Sequence, residues 1–278
     1  MRATLIIIEM TLREVWRRRI VWAGLILGLA FVALYGVGFN ALLKQAVEQN
    51  AIPDMALDSG FNFVAMSGLY AVSFLGIMLA VLLSVGSLSG EIQSHTAQAL
   101  ATKPIPRYSI VLGKWLGIAL MVAIYVGLLA GGVIMVTHLI SGYWLPNAIE
   151  GIILIILQAV IMLSLSILGG TRLPTVANGV VAFMLYGFSF LGGWIERIGS
   201  MAESEAAMDI GIWSSLLVPC ESMWHRAAFV LQPPMINALN ISPFSMPTPP
   251  SQAMLVYAIV YCLAIVSLAV RAFNRRDL

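Results

Sequence analysis

Six long apolar runs are the feature that most constrains what this chain can fold into. Each run approaches or exceeds the ~20 residues that an α-helix needs to cross a hydrocarbon core ~30 Å thick. Because that core holds no water to pair with an open backbone, such spans must be helices. The sequence therefore predicts an all-α membrane protein with six transmembrane helices. They are expected at about 20–40, 67–88, 111–139, 149–170, 175–195 and 253–273.

The composition excludes a separate soluble domain. Hydrophobic residues make up 60% of the 278 positions and charged residues only 10%, whereas about 25% of residues are charged in ordinary soluble domains. We therefore expect residues 1–278 to form a single transmembrane domain. The basic cluster at 17–19 directly precedes the first long run. That order is typical of the start of a span and not of a cleaved signal peptide.

Basic residues are distributed unevenly between the joints of the spans. Six spans place both termini on one side, and 12 of the 15 Lys and Arg residues fall on that side. Only Lys44, Arg197 and Arg226 fall on the other. Because the cytoplasmic side is the one enriched in basic residues, both termini are predicted to be cytoplasmic. The predicted location is the cell membrane, inner or plasma.

Residues 4–19 have the pattern of an amphipathic helix before the first span. The apolar side chains expected on one face are Leu5, Ile8, Leu12, Val15 and Trp16. The charged side chains expected on the opposite face are Glu9, Arg13, Arg17 and Arg18. Because arginine is costly to bury in lipid, we favour a helix that lies in the membrane interface. The alternative is that the segment extends the first span.

The longest connection, 195–252, is predicted to lie outside the cytoplasm. It begins acidic, becomes amphipathic and ends rich in proline. Because Pro219, Glu221 and Arg226 interrupt its apolar middle, we expect helical pieces that lie on the outer surface and not a seventh crossing. Shorter connections are expected at 41–66, 140–148 and 169–174.

The sequence lacks the motifs of catalysis and metal binding. It has no phosphate-binding loop, nucleophile elbow or zinc-binding helix, and its two cysteines and three histidines are dispersed. The spans also hold almost no charge that could couple transport to an ion gradient. Their most notable polar residues, Gln158 and Asn178, are interpreted as hydrogen-bonding bridges between helices. We therefore predict no catalytic residue, no metal site and no cofactor in this chain.

Glycine pairs at spacing i, i+4 permit close approach of membrane helices. Four such pairs occur: Gly24/Gly28, Gly86/Gly90, Gly113/Gly117 and Gly127/Gly131. Because glycine is common in membrane helices, the sequence alone assigns none of these pairs to an interface.

The connection after the second span, 89–115, is suited to act as a lever. Residues 91–102 can form about three helical turns at 3.6 residues each, and Pro104 and Pro106 would end that helix. A short, exposed helix joined to two spans suits contact with a cytoplasmic partner. The alternative is a plain capped turn with solvated charges.

This connection also carries a recognisable order of residues: an acidic residue, a short helix, and then a Pro–x–x–Arg … Gly–Lys return into the membrane. The residues in that order are Glu91, Thr96, Leu100, Pro104, Arg107, Gly113 and Lys114. In this respect the chain resembles the type 2 permeases of ATP-binding-cassette (ABC) transporters, with His95 where that family commonly has Gly. The amphipathic N-terminus, the six spans and the larger loop before the last span are similar too.

The resemblance implies the permease subunit of an ABC exporter. A separate ATPase subunit, carrying ATP and Mg²⁺, would dock on the cytoplasmic face, and a second permease copy or homologue would face this one. The coupling residues that the resemblance implies at 91–103 and just after are Glu91, Ile92, His95, Thr96, Leu100, Lys103 and Arg107. Residues 4–19 would form a second contact. Membrane lipids are the remaining expected partners, and no nucleic acid is expected.

Two other functions stay open on the sequence. A membrane-embedded enzyme acting on lipids or peptides would need converging acids, bases or nucleophiles, and the external candidates are Glu221, His225 and Arg226. Because Glu221 and His225 are four residues apart, a surface ion pair on one helix face is the simpler interpretation. The other alternative is an assembly subunit that does not transport.

Overall fold

The computed structural model describes residues 2–48, 54–93, 106–202, 204–239, 242–245 and 249–275. Within these ranges the chain forms ten α-helices and no β-strand. The helices are α1 (Arg2–Arg17), α2 (Arg19–Glu48), α3 (Asp54–Gln93), α4 (Arg107–Ser141), α5 (Ala148–Gly170), α6 (Thr175–Met201), α7 (Glu205–Leu217), α8 (Cys220–Leu231), α9 (Pro234–Leu239) and α10 (Gln252–Asn274). The prediction of an all-α membrane protein is confirmed.

Six of the described helices, α2 to α6 and α10, are long and apolar enough to cross a membrane. Six crossings return the chain to the side on which it starts. Accordingly Thr4 of α1 bonds Ser109 of α4, and Arg107 bonds the carbonyl of Asn274 at the end of α10. We call this the basic end of the bundle. The opposite end, which carries the turn at 142–147, is the far end.

The helices α2 and α3 extend well beyond their apolar runs. Because α2 continues to Glu48 and α3 begins at Asp54, most of the connection expected at 41–66 is helical. The 40 residues of α3 give a helix about 60 Å long at 1.5 Å per residue. The hydrocarbon thickness limits the apolar run but not the helix, and Ala, Leu, Lys, Gln and Glu continue a helix into water readily. Residues 49–53 lie outside the described part of the chain.

The core of the bundle is formed by α3, α4 and α5. Of the most apolar stretch of each helix, 61% is buried in α3 and α5 but only 11% in α2. Asn178 of α6 donates to the carbonyl of Ser166 of α5 at 2.9 Å, which confirms its predicted bridging role. Gln158 is linked to α8 through its backbone carbonyl, which accepts from the Cys220 thiol at 3.7 Å, and the bridging role of its side-chain amide stays a prediction.

The helices α7 and α8 form a hairpin that folds back into the bundle. Along α6, Gly199 faces Ala207, Gly211 faces Glu196, and Gly192 faces Ser214, so α7 runs antiparallel to α6 toward the middle of the bundle. The chain then reverses at Val218–Pro219, and α8 returns along α5. In each of these three contacts between α6 and α7 one of the two residues is glycine, which permits close packing.

The depth of the hairpin follows from its contacts with α5. At the tip, the Cys220 thiol donates to the carbonyl of Gln158 at 3.7 Å; at the far end, Leu231 packs against Gly151. Gln158 lies ten residues after the start of α5 at Ala148, about 15 Å along the helix and thus about halfway through a ~30 Å core. The expectation of helical pieces on the outer surface is therefore wrong, because α7 and α8 enter the bundle. They nevertheless turn back without making a crossing.

The backbone carbonyls at the tip of the hairpin are bonded by side chains of neighbouring helices. Tyr257 and Tyr261 of α10 donate to the carbonyls of Leu216 and Leu217 at 2.5 and 2.8 Å. Ser189 of α6 donates to the carbonyl of Val218 at 2.9 Å. Irregular backbone at membrane depth is tolerated only where protein groups satisfy it. These three hydroxyl groups therefore fix where the hairpin turns.

Removing both tyrosine hydroxyls is expected to destabilise the protein. The double variant Tyr257→Phe/Tyr261→Phe leaves two carbonyls unpaired at membrane depth, at about 1–3 kcal/mol each. Its thermal unfolding midpoint in detergent should fall by several degrees relative to wild type. Tyr108→Phe, which removes an exposed hydroxyl at the basic end, is the matched control and should leave the midpoint unchanged. Equal midpoints for all three proteins would contradict the role assigned to the two hydroxyls.

Candidate functional site

The basic end is organised by close packing of α1 on the first turns of α4. Thr4 Oγ1 donates to Ser109 Oγ at 3.2 Å, and then Ile7 lies over Gly113 and Thr11 over Gly117. A methyl group on Gly113 would lie 2.6 Å from Ile7 Cγ2, so only glycine permits this approach. Of the four predicted glycine pairs, Gly113/Gly117 is thus the seat of α1.

Two other glycine pairs have different surroundings. Gly24 and Gly28 of α2 face Leu79 and Leu129, so this pair lets α2 approach α3 and α4. A side chain at Gly127 or Gly131 would meet no described atom within 4 Å. The identical spacing of the pairs therefore serves helix packing in some places and not in others.

The buried face of α1 differs from the predicted one. The side chains buried against the bundle are Ile7, Thr11 and Val15, whereas Leu5 and Trp16, expected on the apolar face, are 64% and 50% exposed. The glycine seat on α4 explains the difference, because it accepts small or branched side chains at spacing i, i+4. The helix is separate from α2, with the break at Arg18. Its contacts follow α4 in the same direction, from Thr4 at Ser109 to Thr11 at Gly117. The alternative, in which the segment extends the first span, therefore describes its course better than a helix that lies in the plane of the interface.

Three of the four predicted charged residues of α1 point away from the bundle, whereas Arg18 is only partly exposed and lies beside Gly86 of α3. Glu9 pairs with Arg13, and Glu14 with Arg18, each at 2.5 Å and spacing i, i+4. Glu9, Arg13 and Arg17 are exposed. Exposed pairs of this kind contribute only about 0.3–0.5 kcal/mol each to stability. The fold therefore does not depend on this charged face, which is open to a partner.

The predicted coupling residues run from the last turn of α3 to the first residue of α4. Helix α3 runs without interruption through Glu91 and Ile92 to Gln93, so these two residues belong to its last turn. His95, Thr96, Leu100 and Lys103 lie outside the described residues, as do the side chains at 91 and 92. Arg107 opens α4, and its guanidinium donates to the carbonyl of Asn274 at 3.3 Å. The coupling helix itself stays a prediction.

A buried lysine ties together the two helices that flank this connection. Lys114, which sequence analysis placed at the membrane return, is only 4% exposed. Its Nζ donates to the carbonyl of Ser87 near the end of α3 at 2.8 Å. A charge-assisted bond in a protein interior is strong. The connection between α3 and α4 therefore joins two helices that are already fastened to each other.

Of the three residues considered for catalysis, Glu221 and His225 are buried and Arg226 is partly buried. Glu221 and His225 of α8 are 2% and 7% exposed, and they form no ion pair with each other in the described structure. Arg226 instead donates to the carbonyl of Pro250 at 2.8 Å. The interpretation as a surface ion pair is therefore wrong, because the hairpin carries α8 into the bundle.

The carboxyl group of Glu221 lies at a meeting point of α3, α6 and α8. Tyr70 of α3 donates to Oε1 at 3.1 Å and accepts from Trp194 Nε1 of α6 at 3.3 Å. The Glu221 backbone N–H donates to Ser189 Oγ at 3.2 Å. No described group bonds Oε2. The ring of His225 and Cγ of Glu221 both lie against Gly193 of α6.

The side chains of Glu221 and His225 are both buried and have no ion-pair partner in the described structure. Because an unpaired charge is costly to bury, the two residues do not form the acid–base pair that a catalytic site would need. No group of three metal-ligating side chains occurs among the described residues.

The comparison with known families agrees with this architecture. The family model described as "ABC-2 family transporter protein" matches residues 5–278, a range that includes α1, the six spans and the hairpin. No curated protein matches the chain. Membership of this family implies association with an ABC ATPase. The chain therefore belongs to the ABC-2 transporter family and is a multi-pass membrane permease component of an ABC transporter.

Proposed function

We propose that this permease is the membrane subunit of an exporter, driven by a separate ATPase that docks on the basic end. The observation that carries the proposal is the seat of α1 on α4, which fixes the helix while its charged face stays open. The 12-to-3 bias of basic residues supports placing this end in the cytoplasm. We further propose that the protein lies in the cell membrane and that the ATPase subunit binds ATP and Mg²⁺.

Force from the ATPase would enter the bundle at two neighbouring places. One is the charged face of α1, with Glu9, Arg13, Arg17 and Arg18. The other is the connection at 91–103, whose flanking helices are joined by the bond from Lys114 to Ser87. Because α1 packs on α4, both inputs act on the same pair of helices, α3 and α4. Nucleotide binding would then bias the bundle between two packings of its spans.

A second permease copy is proposed to pack against the face formed by α2 and α6. Both helices contact α3 and leave large apolar side chains exposed, among them Leu34 at 71% and Met184 at 68%. The helix α10 packs against α4 and α5 instead, which places it on another side of the bundle. A partner on the α2–α6 face would enclose a path next to the hairpin. The family assignment supports the presence of a second copy. If the transport path runs between two copies, they must share a face.

Removing charge from α1 is expected to weaken the ATPase association without unfolding the permease. Arg13→Ala/Arg17→Ala should change the free energy of unfolding by less than about 0.5 kcal/mol, as exposed surface substitutions usually do. Loss of two charged contacts at about 1 kcal/mol each would lower the affinity for the ATPase by a factor of about 30. The measurement is the amount of ATPase that co-purifies with the tagged permease. Lys44→Ala at the far end is the control, and equal recovery with both proteins would refute docking on α1.

Cysteine crosslinking tests the proposed face between two copies. The native Cys220 and Cys262 are buried and should not interfere. Leu34→Cys in α2 should form a disulfide-linked dimer in membranes under mild oxidation. Leu263→Cys in α10, also exposed, should stay monomeric on the same gel. Dimer formation by Leu263→Cys alone would move the interface to α10.

A further inference from the structure

A cavity of about 880 Å³ opens at the basic end between the α5–α6 turn and the last turns of α10. Its apolar wall includes Leu168 of α5, Leu173 of the turn and Leu268 of α10. Pockets for drug-sized ligands usually measure about 300–1,000 Å³. The cavity is therefore large enough for a headgroup together with the first carbons of an acyl chain.

Three arginines surround the cavity. Arg271 and Arg275 lie one turn apart at the end of α10, and Arg172 lies in the turn between α5 and α6. All three are exposed. In the described part of the chain none of them forms an ion pair, and no carboxylate lines the cavity. The site is thus strongly positive at its rim, and an anionic ligand would complete it.

The position of the cavity selects among anionic ligands. It lies where α10, a membrane-crossing helix, reaches its last turn, which is the level of the lipid headgroups. Its wall is apolar, and Leu268 on the outward side of α10 is 52% exposed, so an acyl chain could follow α10 into the hydrocarbon core. A soluble anion would leave that apolar wall uncovered.

We propose that this cavity binds an anionic phospholipid of the leaflet at the basic end. The phosphate and the anionic headgroup lie among Arg172, Arg271 and Arg275, since basic pockets between membrane helices bind such headgroups. The acyl chain packs along Leu268. The lipid then bridges α10 to the α5–α6 turn. This inference rests on the membrane topology and not on the direction of transport or on the ATPase.

The test is a lipid titration of the purified full chain in detergent, followed by native mass spectrometry. Phosphatidylglycerol should bind, and phosphatidylcholine with the same acyl chains should bind at least tenfold more weakly. Because each basic residue near an anionic headgroup adds to its attraction, Arg172→Gln/Arg271→Gln/Arg275→Gln should lower the affinity for phosphatidylglycerol on the order of 100-fold. The corresponding triple Lys variant keeps the charge and should bind within about tenfold of wild type.

A matched control removes the same number of charges from the same end but outside the cavity. Arg13→Gln/Arg17→Gln/Arg19→Gln, at three exposed positions, should bind phosphatidylglycerol as wild type does. Equal loss in both triple variants would show general attraction to a basic surface and would overturn the site. Excess inorganic phosphate should leave the lipid bound, and displacement by phosphate would reduce the site to one for a free anion.

The ATPase offers the competing explanation for the three arginines. If Arg172→Gln/Arg271→Gln/Arg275→Gln binds phosphatidylglycerol normally but no longer co-purifies with the ATPase, the cavity is a protein contact and the proposal fails. Retained ATPase association together with lost lipid binding supports the lipid site. These outcomes are separate from the test of α1, whose variants are expected to lose the ATPase and keep the lipid.

Discussion

The requirement that every backbone polar group be satisfied inside the membrane controls this structure. It makes each span a helix, and it also decides where the chain can depart from a helix. The tip of the α7–α8 hairpin leaves carbonyls exposed at about half the depth of the bundle, and hydroxyls of Tyr257, Tyr261 and Ser189 bond them. Without those hydroxyls, a turn at this depth would leave backbone carbonyls unpaired inside the membrane. The hairpin is therefore a property of α6 and α10 as much as of its own residues.

Close approach between helices is the second condition, and it acts at both ends. Gly113 and Gly117 admit α1 at the basic end, while Gly192 and Gly193 admit the hairpin from the far side. In lipid the apolar surfaces of helices gain little from leaving the solvent, so contact distance decides which helices associate. Glycine thus positions both α1, the proposed contact for the ATPase, and the buried carboxyl of Glu221.

The sequence predicts some of these features well and others poorly, for physical reasons. Apolar run length predicts the six spans because the membrane sets that length, and Asn178 bridges helices as an amide side chain inside a span suggests. The hairpin escapes prediction because α7 and α8 are too short and too polar to read as spans. The glycines of α6 and the two tyrosines one turn apart on α10 are features that could indicate the hairpin. They can be interpreted only once the helices that pack against them are known. The predicted apolar face of α1 is not the buried one for a similar reason, because the glycines of α4 determine which side chains of α1 fit.

Two long helices join the regions discussed above. Helix α3 is continuous from the far end to Glu91, so Tyr70, which bonds Glu221, lies 21 residues and about 30 Å from the proposed coupling segment with no break between them. Helix α10 holds the hairpin tip through Tyr257 and Tyr261 and reaches the basic end at Arg271. Under the proposed function, a displacement of α3 by the ATPase would therefore move Tyr70 relative to a hairpin that α10 holds in place. A lipid bound at the end of α10 would restrain that helix further. It would thus stabilise the helix that holds the hairpin and not α3, the helix that the ATPase would displace.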